Sequence, residues 1–390
     1  MSSEKKPRMT SCTVKRCAAL ALLACMASGA AHADYAAERS RLKSAVPKDA
    51  VLYTLQAGVA ALAEKQDGEA AALFDSALDK IEGMYANTES AARARSLWYE
   101  EGAKDFKGEP YERAMAFYYR GLLYLAEGDY ENARASFRGG LLQDAFAEED
   151  QNRADFASLM LLEGWANQLN GDAAQAADAY KEVTALRTGF VAPPEGANLL
   201  IVAELGGSPR KLGDGIGNAE IVYRRAKRTP ERSATVTLDG QPQALLPMED
   251  LYYQAITRGG RPIDRIINGK VAFAATTAKV GDVLGTIASE GNVLRAAYGG
   301  TSGRALGGLA AVGAIASVIS ANVKPRADVR YWNNLPESLH IQALRASAAP
   351  RDIAALLKDE AGNPVALDTV VIRQFRDKNG NGLVWIKSRH

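Results

Sequence analysis

One spacing of small and aromatic residues recurs three times in the first half of this chain. It constrains the fold more than any bulk property does. In the clearest copy, Gly121 is followed by Tyr124, Gly128, Ala133 and Phe137. Gly164, Asn167, Gly171, Ala176 and Tyr180 repeat the offsets, with Asn167 in place of the first aromatic. Gly58, Ala61, Ala70, Phe74 and Ala77 form a weaker copy. Each copy reads as two helices joined by a turn. The first carries a small residue where the second crosses it, and the aromatics of the second fill the gap between neighbours. One such pair cannot bury its apolar face alone, so the copies must stack.

The pattern resembles the tetratricopeptide repeat. That resemblance implies a helical solenoid over residues 34–190, with a concave groove that receives a protein segment. The copies are not in tandem, because Gly58, Gly121 and Gly164 stand further apart than a unit of about 34 residues. Residues 89–103 read as an additional helix, followed by the loop Lys107-Gly108-Glu109-Pro110. The cluster Trp98, Tyr99, Phe106, Tyr111, Phe117, Tyr118 and Tyr119 reads as helix packing rather than a ligand box. Docking of an external segment is expected. The alternative is that the array packs only against the rest of its own chain.

The N-terminus has the three-part layout of an export signal. Lys5, Lys6, Arg8, Lys15 and Arg16 precede an apolar run, Ala18 to Ala27, and small residues follow up to Ala33. The run is shorter than the roughly 20 apolar residues a bilayer span needs. Two cleavage readings stay open. Ala31-His32-Ala33 fits a small-x-small site, making 1–33 a signal peptide. Leu22-Leu23-Ala24-Cys25 resembles a lipobox, making 1–24 a lipoprotein signal and Cys25 a lipidated first residue. Either reading places the protein in the periplasm or on the outer membrane, with lipid at Cys25 as the only expected membrane attachment. All 3 cysteines, Cys12, Cys17 and Cys25, lie in this leader, so the mature chain keeps no pair to form a disulfide. The leader also holds five of the 47 basic residues but only Glu4 of the 46 acidic ones. The mature chain is therefore weakly acidic, and nucleic acid is not an expected partner.

Pro193-Pro194 marks a linker at 191–197, and the periodicity changes beyond it. Leu199 to Ala203 is a continuous apolar run, consistent with a buried strand. Glu220 to Tyr223 and Ala234 to Leu238 read as strands, the latter ending in an Asp239-Gly240 hairpin turn. Arg265 to Ile267 and Val271 to Phe273 flank Asn268-Gly269 as another hairpin. Ser338 to Leu344, Val370 to Phe375 and Leu383 to Ile386 read as later strands and hint at a small C-terminal sheet. Between them, residues 278–323 are rich in glycine and alanine. Ala305 to Val323 carries no charge, yet small residues dominate it. A helix buried in protein is therefore expected ahead of a bilayer span or a glycine-rich oligomerising hairpin. The fold class is α+β: a helical solenoid, then a β-rich domain in two parts, 198–277 and 324–390, interrupted by a Gly/Ala-rich helical segment.

No constellation commits the chain to catalysis. Past the leader only His340 and His390 remain, and His340 reads as a sheet residue rather than the base of a Ser-His-Asp set. Glu100-Glu101 and Glu148-Glu149-Asp150 read as solvated faces rather than a glycosidase pair. Gly213-x-Gly215-x-Gly217 lacks the Lys-Ser/Thr ending of a phosphate loop. Asp377, Asn379, Asn381 and Gly382 occupy the opening positions of a calcium-loop pattern, but Ser388 stands where the closing acid belongs. A hairpin turn explains the same residues and is the favoured reading. Arg258 and Arg261 are candidate anion contacts, against the simpler reading of a solvated turn. Catalytic residues, metal ligands and cofactors are not expected.

Several stretches resemble a family of bacterial tetratricopeptide-like envelope proteins. They are Trp98 to Gly102 with Asp105 to Met115, Gly121 to Tyr124 with Gly128 to Arg134, Glu249 to Tyr253 with Thr257 to Arg261, and Tyr331 to Pro336. Many members look like lipoproteins and are often encoded near lipoproteins similar to penicillin-binding-protein activators. The resemblance implies a role in cell-envelope assembly and supplies no catalytic residue. The expectation is a non-enzymatic scaffold or adaptor holding a protein partner. A peptidoglycan-binding or peptidoglycan-processing module in the β-rich half is the alternative.

Overall fold

The computed structural model describes residues 35–85, 105–145, 155–214, 220–257, 328–366 and 370–388. Outside the described residues lie the leader with Cys25, the expected helix at 89–103, the acidic groups at 100–101 and 148–150, Gly215 and Gly217. The same holds for Arg258, Arg261, the hairpin at 265–273 and the Gly/Ala-rich segment 278–323. Among the described residues the chain forms eight α-helices and ten strands, a mixed α+β architecture.

The first helix, α1 (Tyr35–Lys43), leads through a 3-10 turn, Pro47–Asp49, into three helix pairs. These are α2 (Ala50–Ala63) with α3 (Asp67–Tyr85), α4 (Pro110–Glu127) with α5 (Tyr130–Ala145), and α6 (Ala157–Leu169) with α7 (Ala173–Leu186). The recurring glycines sit where the two helices of a pair meet. A Cβ on Gly58 would come within 2.8 Å of the Phe74 ring, and one on Gly164 within 2.6 Å of Tyr180. A Cβ on Gly121 would overlap Phe137. The turn inside each pair is left-handed at Lys65 (φ 65°), Gly128 (φ 73°) and Gly171 (φ 86°). Ala70, Ala133 and Ala176, from the second helices, are buried beside these crossings. Ala61, Ala77 and Asn167 are buried too, whereas Tyr124 is only partly so and lies under the guanidinium of Arg120, 3.5 Å from the ring centre.

Burial is unequal within the pairs. Leu159 to Leu162 on α6 are buried in succession, whereas α7 buries only Ala176, Tyr180 and Val183. A helix apolar on all sides belongs between two layers. The second layer is a five-stranded sheet. Its strands are β1 (Leu199–Leu205), β6 (Leu246–Asp250), β7 (Ser338–Leu344), β9 (Val370–Arg376) and β10 (Gly382–Ser388), in the order β6-β7-β1-β10-β9. The central strands β1 and β10 are parallel, and the other pairings are antiparallel. A third layer follows, β5-β4-β8, from β4 (Ser233–Leu238), β5 (Gln241–Ala244) and β8 (Ile353–Lys358). A separate ribbon joins β2 (Arg210–Asp214) to β3 (Glu220–Arg224), and a short helix, α8 (Leu251–Thr257), follows β6.

The layering explains why β1 reads as one apolar run. Side chains alternate across a strand, and here both faces are covered. Leu200 and Val202 join the core shared with the helices, while Leu199, Ile201, Ala203 and Leu205 pack with Ala234, Val236 and Leu357 of the third layer. The Asp239-Gly240 turn has positive φ at both residues, 46° and 82°, as a two-residue hairpin requires. The strands at 338–388 do not form a small sheet of their own: β7 lies between β6 and β1, and β8 pairs with β4. The sequence reading did not anticipate β2, β5, β6, β8 or α8.

Candidate functional site

The inner helices α2 and α4 are covered by their own chain. The segment Arg330 to Pro336 lies against them, with the Trp332 ring 5.7 Å from that of Tyr119 on α4 and 6.4 Å from that of Phe74 on the neighbouring α3. Its backbone N–H donates to Glu112 at 2.6 Å, and Asn334 Nδ2 donates to the Gln56 carbonyl at 3.0 Å. Arg330 anchors the segment to Asp49 and Asp328 at 2.5 and 2.7 Å. Glu112 works twice. It also accepts from the N–H of Glu109 at 2.7 Å, closing a reciprocal cap on α4 after Pro110.

Three carboxylates are buried where the helices meet the rest of the chain. Glu204 ends the apolar run of β1 and faces α4. It accepts from Tyr118 and Tyr119 at 3.0 and 2.7 Å, from Trp385 Nε1 at 2.7 Å and from Lys387 at 2.8 Å. Glu249 on β6 accepts from Arg187 at 3.2 Å and Gln254 at 3.1 Å. Burial pushes its pKa up to about 8; Arg187 and the Gln254 hydrogen bond pull the other way, while the charges of Asp155 and Asp144 raise it further. Burial likewise raises Glu112 to about 7. These oxygens are engaged by neighbouring donors, which suits them to holding layers in register.

The remaining candidates resolve in place. His340 is buried on β7, its Nε2 is 3.1 Å from Ser338 Oγ, and burial lowers its pKa to about 4. It is a neutral sheet residue. Asp377 Oδ1 accepts from the N–H groups of Asn379 and Asn381 at 2.8 and 3.0 Å, and Asp377 Oδ2 meets Tyr130. Asn381 also donates to the Tyr130 hydroxyl at 2.6 Å. The stretch is a hairpin turn fastened to the start of α5 by these hydrogen bonds. Gly213 lies in β2 opposite Ile221.

Two open clefts flank this hairpin. One, with room for little more than a water molecule, lies between Leu125, Trp165 and Leu169 of the helices and Phe375, Asp377 and Leu383. The other, a shallow surface depression, is lined by Asn198, residues 346–350, Gln374, Phe375 and Arg376. None of the three buried glutamates lines either cleft.

The sequence reading missed the roles of Glu204, Glu249 and Trp332. For Glu204 there was a signal: an acid closing a continuous apolar strand is one that must be paired when buried. No protein-family model, curated protein or solved structure matches this chain.

Proposed function

We propose that this chain is an exported, non-enzymatic scaffold of the cell envelope, built on tetratricopeptide-like repeats and holding a protein partner. The carrying observation is that all three helix pairs place a glycine against an aromatic ring of the second helix, at Gly58–Phe74, Gly121–Phe137 and Gly164–Tyr180. That stacking makes a regular helical surface. The buried carboxylates, committed to internal donors, support a holding role over a chemical one. Because Trp332 and the sheet cover the inner helices, the partner belongs on the outward second helices, α3, α5 and α7.

The test is site-directed photo-crosslinking in envelope extracts, using the chain from Asp34 onward. The crosslinker replaces, one at a time, the exposed Lys80, Arg138 and Lys181 on those helices, and Gln241 on β5 as a comparison. One discrete protein adduct from the helices, absent from position 241, is expected. Adducts from position 241 alone would sink the reading.

A second reading starts from the surface depression beside β9. Phe375, Gln374 and the exposed Arg376 offer an aromatic, an amide and a cation to a cell-wall fragment. Co-sedimentation with isolated sacculi, lost in Arg376→Ala, would support it. Sedimentation unchanged by that substitution would remove it.

A further inference from the structure

The β2–β3 ribbon carries a surface that none of the preceding roles uses. Its inner face is fixed to the helices: Lys211 is buried and paired with Glu109, and Tyr223 packs edge-on against Tyr111 at 6.4 Å. Alternation therefore puts Arg210, Leu212, Val222 and Arg224 on the outer face. There Arg210 stands directly opposite Arg224, and Leu212 opposite Val222. Like charges directly opposite weaken a ribbon. Among the described residues, Arg210 and Arg224 donate only to the backbone carbonyls of Arg225 and Tyr223, at 3.1 and 3.2 Å, which leaves their charge unneutralised. Leu212 is 41% exposed beside it.

The chain then runs through Lys227 and Arg228, both exposed. Arg228 has φ 62°, a left-handed conformation uncommon for a residue with a side chain. The nearby acids point inward. Asp250 and Glu337 are engaged by Arg225 at 2.9 and 2.5 Å and are largely buried. Lys227 and Arg228 have no carboxylate partner among the described residues. The far end of the ribbon pairs Asp214 with Glu220, so the positive charge is concentrated at the base.

We propose that this surface docks on the phosphate-bearing headgroups of an anionic bilayer. A weakly acidic chain can still do this, because fields between exposed charges decay within about 8 Å at physiological ionic strength. The local cations therefore decide. An exposed leucine beside paired arginines suits the boundary between headgroups and acyl chains, a contact that a soluble polyanion would leave unused. This face is opposite the one fixed to the helices, and the proposal stands independently of the partner proposed for α3, α5 and α7.

Vesicle co-sedimentation tests it, using the chain from Asp34 onward so that the leader cations do not contribute. Binding is expected to vesicles of phosphatidylcholine with phosphatidylglycerol, not to phosphatidylcholine alone, and high salt should release it. Lys227→Glu/Arg228→Glu should weaken partitioning roughly tenfold or more, and Leu212→Ser should weaken it without altering the salt dependence. Both changes are on the surface, and unchanged circular dichroism would confirm folding. Arg39→Glu/Lys43→Glu, two exposed cations on α1, should bind as the parent does. Absence of parent binding, or equal loss in the α1 variant, overturns the proposal. So does full displacement by soluble pyrophosphate with no effect of Leu212→Ser, which would mark a free phosphate ligand instead.

Discussion

At the scale of single residues, the chain's regularity is steric. Gly121 sits on Phe137, which is fully buried. An added methyl must therefore move a ring that has no free space. Gly121→Ala should cost about 1–3 kcal/mol, the usual range for overpacking. Gly58→Ala should cost less, since its hypothetical Cβ lies 2.8 Å from Phe74. Urea unfolding of both variants checks the order, and a neutral Gly121→Ala would contradict the crossing geometry. The converse case is Lys65. It occupies the left-handed turn that Gly128 and Gly171 fill in the other pairs. A non-glycine residue is disfavoured there by about 1–2 kcal/mol, partly offset by the greater freedom of glycine when unfolded. Lys65→Gly should therefore stabilise by about 0.5–1 kcal/mol, read as a raised urea midpoint at constant slope. The glycines were legible because close approach leaves a mark on residue type. The strained turn at Lys65 was not, because a lysine does not announce its φ.

At the scale of elements, the seam between helices and sheet is stitched by ionisable groups, and this gives stability a definite pH dependence. The folded pKa of Glu249 is about 8 against an ordinary 4.5. Between those values the native state holds a proton that the unfolded chain has released, so stability falls as pH rises across that window and levels off above it. Glu112, raised to about 7, acts in the same direction over a narrower range. His340 acts oppositely: burial lowers it from 6.5 to about 4, so stability falls as pH drops through that interval. Glu249→Gln keeps the shape and removes the titration. Thermal melts at about pH 5 and about pH 8 should show a large alkaline loss in the parent and a clearly smaller one in the variant. An unchanged difference would mean that Glu249 is ionised throughout. None of this network was visible in sequence beyond the placement of Glu204, because its partners are remote: Tyr118 is 86 residues from Glu204, and Lys387 is 183. Local periodicity found β1, β3, β4, β7, β9 and β10, whose residues alternate or run apolar. It missed β5, which contains Pro242, and β8, whose Ile353-Ala354-Ala355-Leu356-Leu357-Lys358 composition suits a helix as well as a strand.

At the scale of the whole molecule, the order of strands makes the chain's two ends of the β-rich half interdependent. The last described strand, β10, is inside its sheet, between β1 and β9. Leu383 and Trp385 enter the core shared with the helices, and Val384 and Ile386 enter the core shared with the third layer. Removing β10 therefore opens both cores at once and leaves Glu204 without Trp385 and Lys387, an unpaired buried charge of the costly kind. The helical part is no more independent. Tyr118, Tyr119 and Leu122 of α4 are buried in a cluster that includes Leu200, Val202 and Trp332, so residues 34–190 alone would expose that face to water. The full chain from Asp34 should unfold in one transition, coincident by far-ultraviolet circular dichroism and tryptophan fluorescence. A chain ending at residue 381 and the isolated 34–190 piece should each lack a cooperative transition and bind a hydrophobic dye. A sharp, reversible melt for the 34–190 piece would show that the shared core is dispensable to the helices. It would also allow partner searches with that piece alone, where the structure calls for the whole chain.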